Sequence, residues 1–78
     1  MGEAELLFGK RVKEIRKRQG LTQARLAEMV NLSVNYISQI ETGEASPTFR
    51  VLVRLAEGLD VELKDLFDFA TLQENKRA

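Results

Sequence analysis

The stretch Thr22–Gly43, TQARLAEMVNLSVNYISQIETG, constrains the chain most. Thr22 and Ser33 each stand just before a short run with apolar residues at helical spacing. Such hydroxyl residues are favoured N-caps, because their oxygen accepts from an unpaired N–H of the first turn. Gly43 closes the second run, and glycine readily adopts the left-handed conformation that ends a helix. The stretch therefore reads as a short helix with Leu26, Ala27 and Val30 inward, a tight turn at Asn31-Leu32, and a second short helix.

The rest of the chain fits around this pair. Phe8, Val12 and Ile15 form an apolar stripe, so Leu7 or Phe8 to Gln19 reads as a first helix stopped by Gly20. After Gly43, Ser46-Pro47 supplies a cap and a proline at the first helical position, where its missing N–H costs nothing. The fourth helix then turns Phe49, Leu52, Leu55, Ala56 and Leu59 inward. A break at Gly58–Asp60 leads to a fifth, about Leu63–Phe69, with Leu63, Leu66, Phe67 and Phe69 apolar. No β-branched or aromatic run alternates with polar residues long enough for a sheet. The expectation is one all-α domain of five helices over residues 1–78, with its core at about 8–69 and flexible ends at 1–5 and 73–78.

Composition removes most chemistries. The chain has no cysteine and no histidine, so thiolate metal sites and the commonest general base are gone. No Gly-rich phosphate loop or metal-ligand spacing stands out, and we expect no enzyme, cofactor, metal or small-molecule ligand. No apolar run spans a bilayer and no leader pattern opens the chain, so the expected location is cytoplasmic. Lys plus Arg and Asp plus Glu are 12 each, which argues against binding nucleic acid by bulk charge. The N-terminal twenty residues are nonetheless basic and the C-terminal part acidic.

The run Ser33–Thr42 carries the functional signal. At about 100° per residue, with Val34 at zero, Ile37, Ile40 and Tyr36 fall on one side. Asn35, Ser38, Gln39 and Thr42 fall on the other, all uncharged hydrogen-bonding residues. Asn and Gln offer a donor and an acceptor together, which matches the adenine edge in the major groove. Serine can bond several bases, and Val34 can pack on a thymine methyl. The plain alternative is a solvated polar face, and the same holds for the basic run KRVKEIRKR in the first helix.

The pattern Gly20-Leu21-Thr22-Gln23, Leu26-Ala27, Ser33, Tyr36–Gly43, Ser46-Pro47, Leu55-Ala56 and Leu66-Phe67 resembles the helix-turn-helix of the Cro and phage-repressor (XRE) family. The resemblance covers roughly residues 8–67. It implies a five-helix lambda-repressor-like domain with the helix-turn-helix at helices 2 and 3. It further implies base contacts from Ser33, Val34, Asn35, Ser38 and Gln39, and phosphate contacts from Gln23, Thr42 and the backbone at Gly43. Arg16 and Glu41 match a semi-buried salt bridge between helices 1 and 3, and the spacing agrees, since Glu41 falls beside the apolar side of helix 3. Arg11, Lys17, Arg25 and Arg50 are the basic candidates for further phosphate contacts.

In this reading the partner is double-stranded DNA, bound as a near-palindrome by a homodimer. Leu63, Leu66, Phe67, Phe69 and Leu72 are the candidate dimer surface, although Leu66 and Phe67 can equally close the domain's own core. The short relatives include controller proteins of restriction–modification systems, which are homodimers. The rival function is a protein-binding helical module, such as an antitoxin or a coactivator-like domain.

Overall fold

The computed structural model describes residues 2–73. In chain order it holds α1 (Glu3–Arg18), α2 (Gln23–Val30), α3 (Val34–Thr42), α4 (Phe49–Gly58), a 3-10 helix (Leu63–Phe67) and the single turn α5 (Ala70–Gln73). No strand occurs among the described residues. The last residues expected to fray, 74–78, lie outside them.

The expected caps of the central pair are present. Thr22 Oγ1 accepts from the Arg25 N–H at 3.0 Å, and Ser33 Oγ accepts from the Tyr36 N–H at 3.0 Å. Between the helices Asn31 takes the left-handed conformation, at φ 59°, and Gly43 ends α3 at φ 85°. At Gly43 the chain also passes so close to Leu6 that a Cβ would meet its Cδ2 at 2.9 Å.

One core joins all the longer helices. Phe8, Val12 and Ile15 of α1 pack with Leu26, Ala27 and Val30 of α2, Ile37 and Ile40 of α3, and Leu55, Ala56 and Leu59 at the end of α4. Leu66 of the 3-10 helix closes it and is wholly buried. The Gln19 amide donates to the Leu59 carbonyl at 2.6 Å and ties the end of α1 to the loop after α4.

Three boundaries and one burial differ from expectation. Helix α1 begins at Glu3, so residues 3–5 are helical rather than loose. Glu3 and Glu5 occupy its first turn, where the helix dipole favours acidic side chains. Helix α4 begins after Thr48, not at Ser46-Pro47: Thr48 Oγ1 accepts from the Val51 N–H at 3.3 Å and takes the cap from the serine two residues earlier. Phe49, expected inside, is 68% exposed, because the apolar stripe of α4 runs past the edge of the core toward its N-terminus. The fifth helix is split. The Asp65 carboxylate accepts from the Glu62 N–H and starts a tight 3-10 segment. The Asp68 carboxylate then accepts from the Ala70 N–H and starts a new turn.

Candidate nucleic-acid interface

Helix α3 sits across α1, and the crossing depends on Gly9. A Cβ on Gly9 would run into the Ile40 carbonyl oxygen and lie 2.7 Å from that of Glu41. Only a residue without a side chain lets α1 approach the α3 backbone this closely. The sequence pattern did not single out Gly9, since a glycine inside a helix ordinarily just weakens it.

The back of α3 is pinned by charge as well as by packing. Arg16 Nε donates to Glu41 Oε2 at 2.7 Å and Nη2 to Oε1 at 3.0 Å, so the pair is bidentate. Its side chains are 7% and 2% exposed. The remaining nitrogen, Nη1, donates to the Leu21 carbonyl at 2.7 Å. Gln23 Nε2 donates to Glu41 Oε1 at 2.9 Å. Glu41 thereby fixes α3, the end of α1 and the first residue of α2 in one network. An amide nitrogen has two hydrogens and its oxygen is an acceptor, so Gln23 keeps one N–H and its oxygen for another partner.

The front of α3 faces water. Ser33, Asn35 and Thr42 are exposed, Val34 is 46% exposed, and Ser38 and Gln39 are half-buried. Asn35, Ser38, Gln39 and Thr42, which the spacing sets on one side, are thus at least partly open to water, as are Ser33 and Val34 at the start of the helix. Gln23 is half-buried and is held at Glu41, behind this face. Thr42 Oγ1 donates back to the Gln39 carbonyl at 3.2 Å, which leaves its lone pairs free.

The basic residues divide. Lys17 and Arg50 are exposed, and Arg25 pairs with Glu28 at 2.6 Å on the surface. Arg11 is not available for phosphate and that expectation is corrected. It is buried, its Nε donating to the Asp65 carbonyl and its Nη1 to Glu14 Oε1, each at 2.8 Å. The spacing held a signal for this: Arg11 lies three residues after Phe8 and four before Ile15, along the edge of the apolar stripe.

The candidate dimer surface is also corrected in part. Leu66 is wholly buried and belongs to the core, while Leu63 and Phe69 pack partly against it. Phe67 is 47% exposed and its ring lies 5.2 Å from Phe8. Leu72 is half-buried. Together with Leu52, Pro47 and Phe8, Phe67 lines a shallow apolar groove of about 160 Å³. Phe49 stands one turn before Leu52 on α4, so the exposed apolar surface continues to it.

No helix among the described residues is long and apolar enough to cross a membrane. The helix-turn-helix family model matches residues 12–66. The control protein C.BamHI of Bacillus amyloliquefaciens is 37% identical over 68 residues, covering 86% of this chain and 84% of that protein. The immunity repressor of Bacillus phage phi105 is 36% identical over 73 residues, 94% of this chain but 51% of the repressor. The chain thus spans about half the length of that relative. Among solved structures, the restriction-modification controller protein C.Esp1396I, a tetramer in complex with its natural 35-base-pair operator, superposes with a TM-score of 0.82 at 29% identity. That match covers 94% of this chain and 96% of the controller. With its matched span running from the middle of α1 to the 3-10 helix, the chain belongs to the HTH_3 helix-turn-helix family, the XRE group of transcriptional regulators.

Proposed function

We propose that the chain is a sequence-specific regulator of transcription that binds double-stranded DNA in the cytoplasm as a homodimer and catalyses no reaction. Helix α3 enters the major groove of each half of a near-palindromic operator. The observation that carries this reading is the two-sided character of α3. Its front is amide, hydroxyl and one small apolar side chain, and its back is held by the Arg16–Glu41–Gln23 network. A front of this chemistry reads base edges and gains little from bulk charge. The operator complex of C.Esp1396I, a protein of the same family and length class, supports it.

The roles divide accordingly. Ser33, Val34, Asn35, Ser38 and Gln39 meet base edges, with Asn35 and Gln39 offering paired donors and acceptors. Gln23 donates its second N–H to a phosphate. Thr42 and the backbone at Gly43, with Lys17, Arg25 and Arg50, supply the remaining phosphate contacts. Pairing uses the exposed aromatic surface of Phe67 and Phe49, with Leu63, Phe69 and Leu72 at its margin.

Selecting bound duplexes from random DNA tests the whole reading, because a recovered palindrome reports specificity and symmetry together. Asn35→Ala and Gln39→Ala should each relax preference at a defined position, costing about 1–3 kcal/mol there. Gln23→Ala should weaken binding to every sequence alike. Unchanged base preference in the Asn35 and Gln39 variants would reject α3 as the reading element and favour a protein partner.

A further inference from the structure

Helix α1 has two working sides. Gly9 and Arg16 face α3, one through its bare backbone contact and the other through Glu41. Arg11 points elsewhere: at about 100° per residue it lies roughly 140–200° around the helix from both. On that side its Nε donates to the Asp65 carbonyl of the 3-10 helix at 2.8 Å. Its Nη1 is held by Glu14, whose other oxygen lies 3.5 Å from Arg18 on the surface.

Arg11 is 7% exposed, so its charge is largely removed from water. A buried arginine holds its place only when its donors find acceptors. Here they find one carbonyl fifty-four residues away and one carboxylate on α1. The distant partner belongs to a segment only five residues long, with Leu66 as its one fully buried side chain. Two further contacts locate that segment from the same face of α1, namely the Phe8 ring beside Phe67 and the apolar groove they share.

We propose that Arg11 is a positioning residue for pairing. It clamps the 3-10 helix to α1 and so sets where Phe67 is presented relative to the reading helix on the other side. This rests on the homodimer reading given above. The clamp matters to operator binding because two α3 helices must enter successive major grooves with fixed spacing, whereas a single half-site needs only one. Arg11 therefore acts on the bound pair and leaves the contacts of each α3 unchanged.

The test separates these two quantities. Arg11→Met keeps the length and apolar stem of the side chain and removes the donors, and Arg11→Lys keeps one charged donor. The probes are the duplex that the unaltered protein recovers from random DNA and the same duplex with one half replaced by unrelated sequence. Sedimentation reports the dimer, and circular dichroism reports the fold. For Arg11→Met, the dimer dissociation constant should rise about tenfold or more, with a matching loss on the full site. Affinity for the single half-site should stay within about twofold, and Arg11→Lys should recover part of the dimer. If Arg11→Met does not fold, Arg11→Lys carries the same comparison with a smaller shift.

Half-site affinity falling in step with the dimer would overturn the proposal, since Arg11 would then act on the reading side. An unchanged dimer in both variants would overturn it alone, leaving the homodimer reading intact. An unaltered protein that sediments as a monomer at every concentration would remove that reading and the proposal together.

Discussion

Arg11 and Arg16 lie five residues apart on α1, and both are buried, yet they serve opposite sides of the molecule. Arg16 meets a carboxylate with two parallel hydrogen bonds, and that carboxylate in turn holds Gln23. Arg11 meets a carbonyl and a partly exposed carboxylate, whose other oxygen lies near the exposed Arg18. The α3 side is thus locked by a bidentate ion pair and the Gln23 amide, whereas the Phe67 side is held by packing and by Arg11. In the proposed function this puts rigidity behind the helix that reads base edges, and exposed apolar surface where a second copy can cover it.

Breaking each arginine gives the largest contrast. Arg16→Met leaves Glu41 buried without its counter-charge and should lower stability by about 3–5 kcal/mol, read from urea denaturation. Arg11→Met strands a carbonyl that also accepts from the Asp68 N–H, and a carboxylate that water can reach. It should cost about 1–3 kcal/mol. Equal losses would mean that the two sides are held alike, and the distinction between them would fail.

The sequence revealed α2 and α3 far better than α4 and the segments after it, for physical reasons. Caps and left-handed stops are local, so Thr22, Ser33 and Gly43 announced α2 and α3 within a residue. The side facing the core followed from Ile37 and Ile40 alone. The Arg16–Glu41 pair needed the family resemblance to suggest it, although the position of Glu41 beside the apolar stripe agreed. From Ser46 onward the signals competed. Ser46-Pro47 and Thr48 both offer a helix start, and only the reach of the Thr48 hydroxyl to Val51 decides between them. Phe49 continues an apolar stripe beyond the core that it was expected to fill. Two aspartates cut the last helix, and each acts through a side-chain bond that periodicity does not encode. Arg11 was hidden among the similar charges of KRVKEIRKR, because its distinguishing partner is the backbone of a distant segment.

Gly9 and Gly58 sharpen the comparison at a smaller scale. Each marks a close approach, of α1 to α3 and of α4 to α2 respectively. A Cβ at Gly9 would meet backbone carbonyls, which cannot move without shifting α3. A Cβ at Gly58 would meet the Val30 side chain, at the end of α4. Gly9→Ala should therefore cost about 1–3 kcal/mol despite the better helix propensity of alanine. It should also weaken binding of operator duplex by the folded protein, since α3 is displaced. Gly58→Ala should cost less and leave DNA affinity within about twofold. A larger loss at Gly58 would place the tighter constraint at the contact of α4 with α2 rather than under α3.

The smallest expected effect concerns two residues held in the left-handed conformation, one after α2 and one after α4. Asn31 has φ 59° in the turn between α2 and α3, and Asp60 has φ 57° just after α4. Asparagine visits this region more readily than other residues with a Cβ, so Asn31→Gly should change stability by less than about 0.5 kcal/mol, its relief offset by a more flexible unfolded chain. Asp60 carries two penalties. Its backbone is strained in the same way, and its carboxylate lies at the negative end of the α4 dipole, two residues beyond the last helical residue. Asp60→Gly should stabilise the fold by about 0.5–1 kcal/mol, and Asp60→Asn, which removes only the charge, by about half of that. Denaturation at low and high salt separates the two penalties, because salt screens the dipole and leaves backbone strain untouched. If Asp60→Gly proves destabilising at both salt concentrations, the aspartate has an attractive partner, and the end of α4 is held by more than packing.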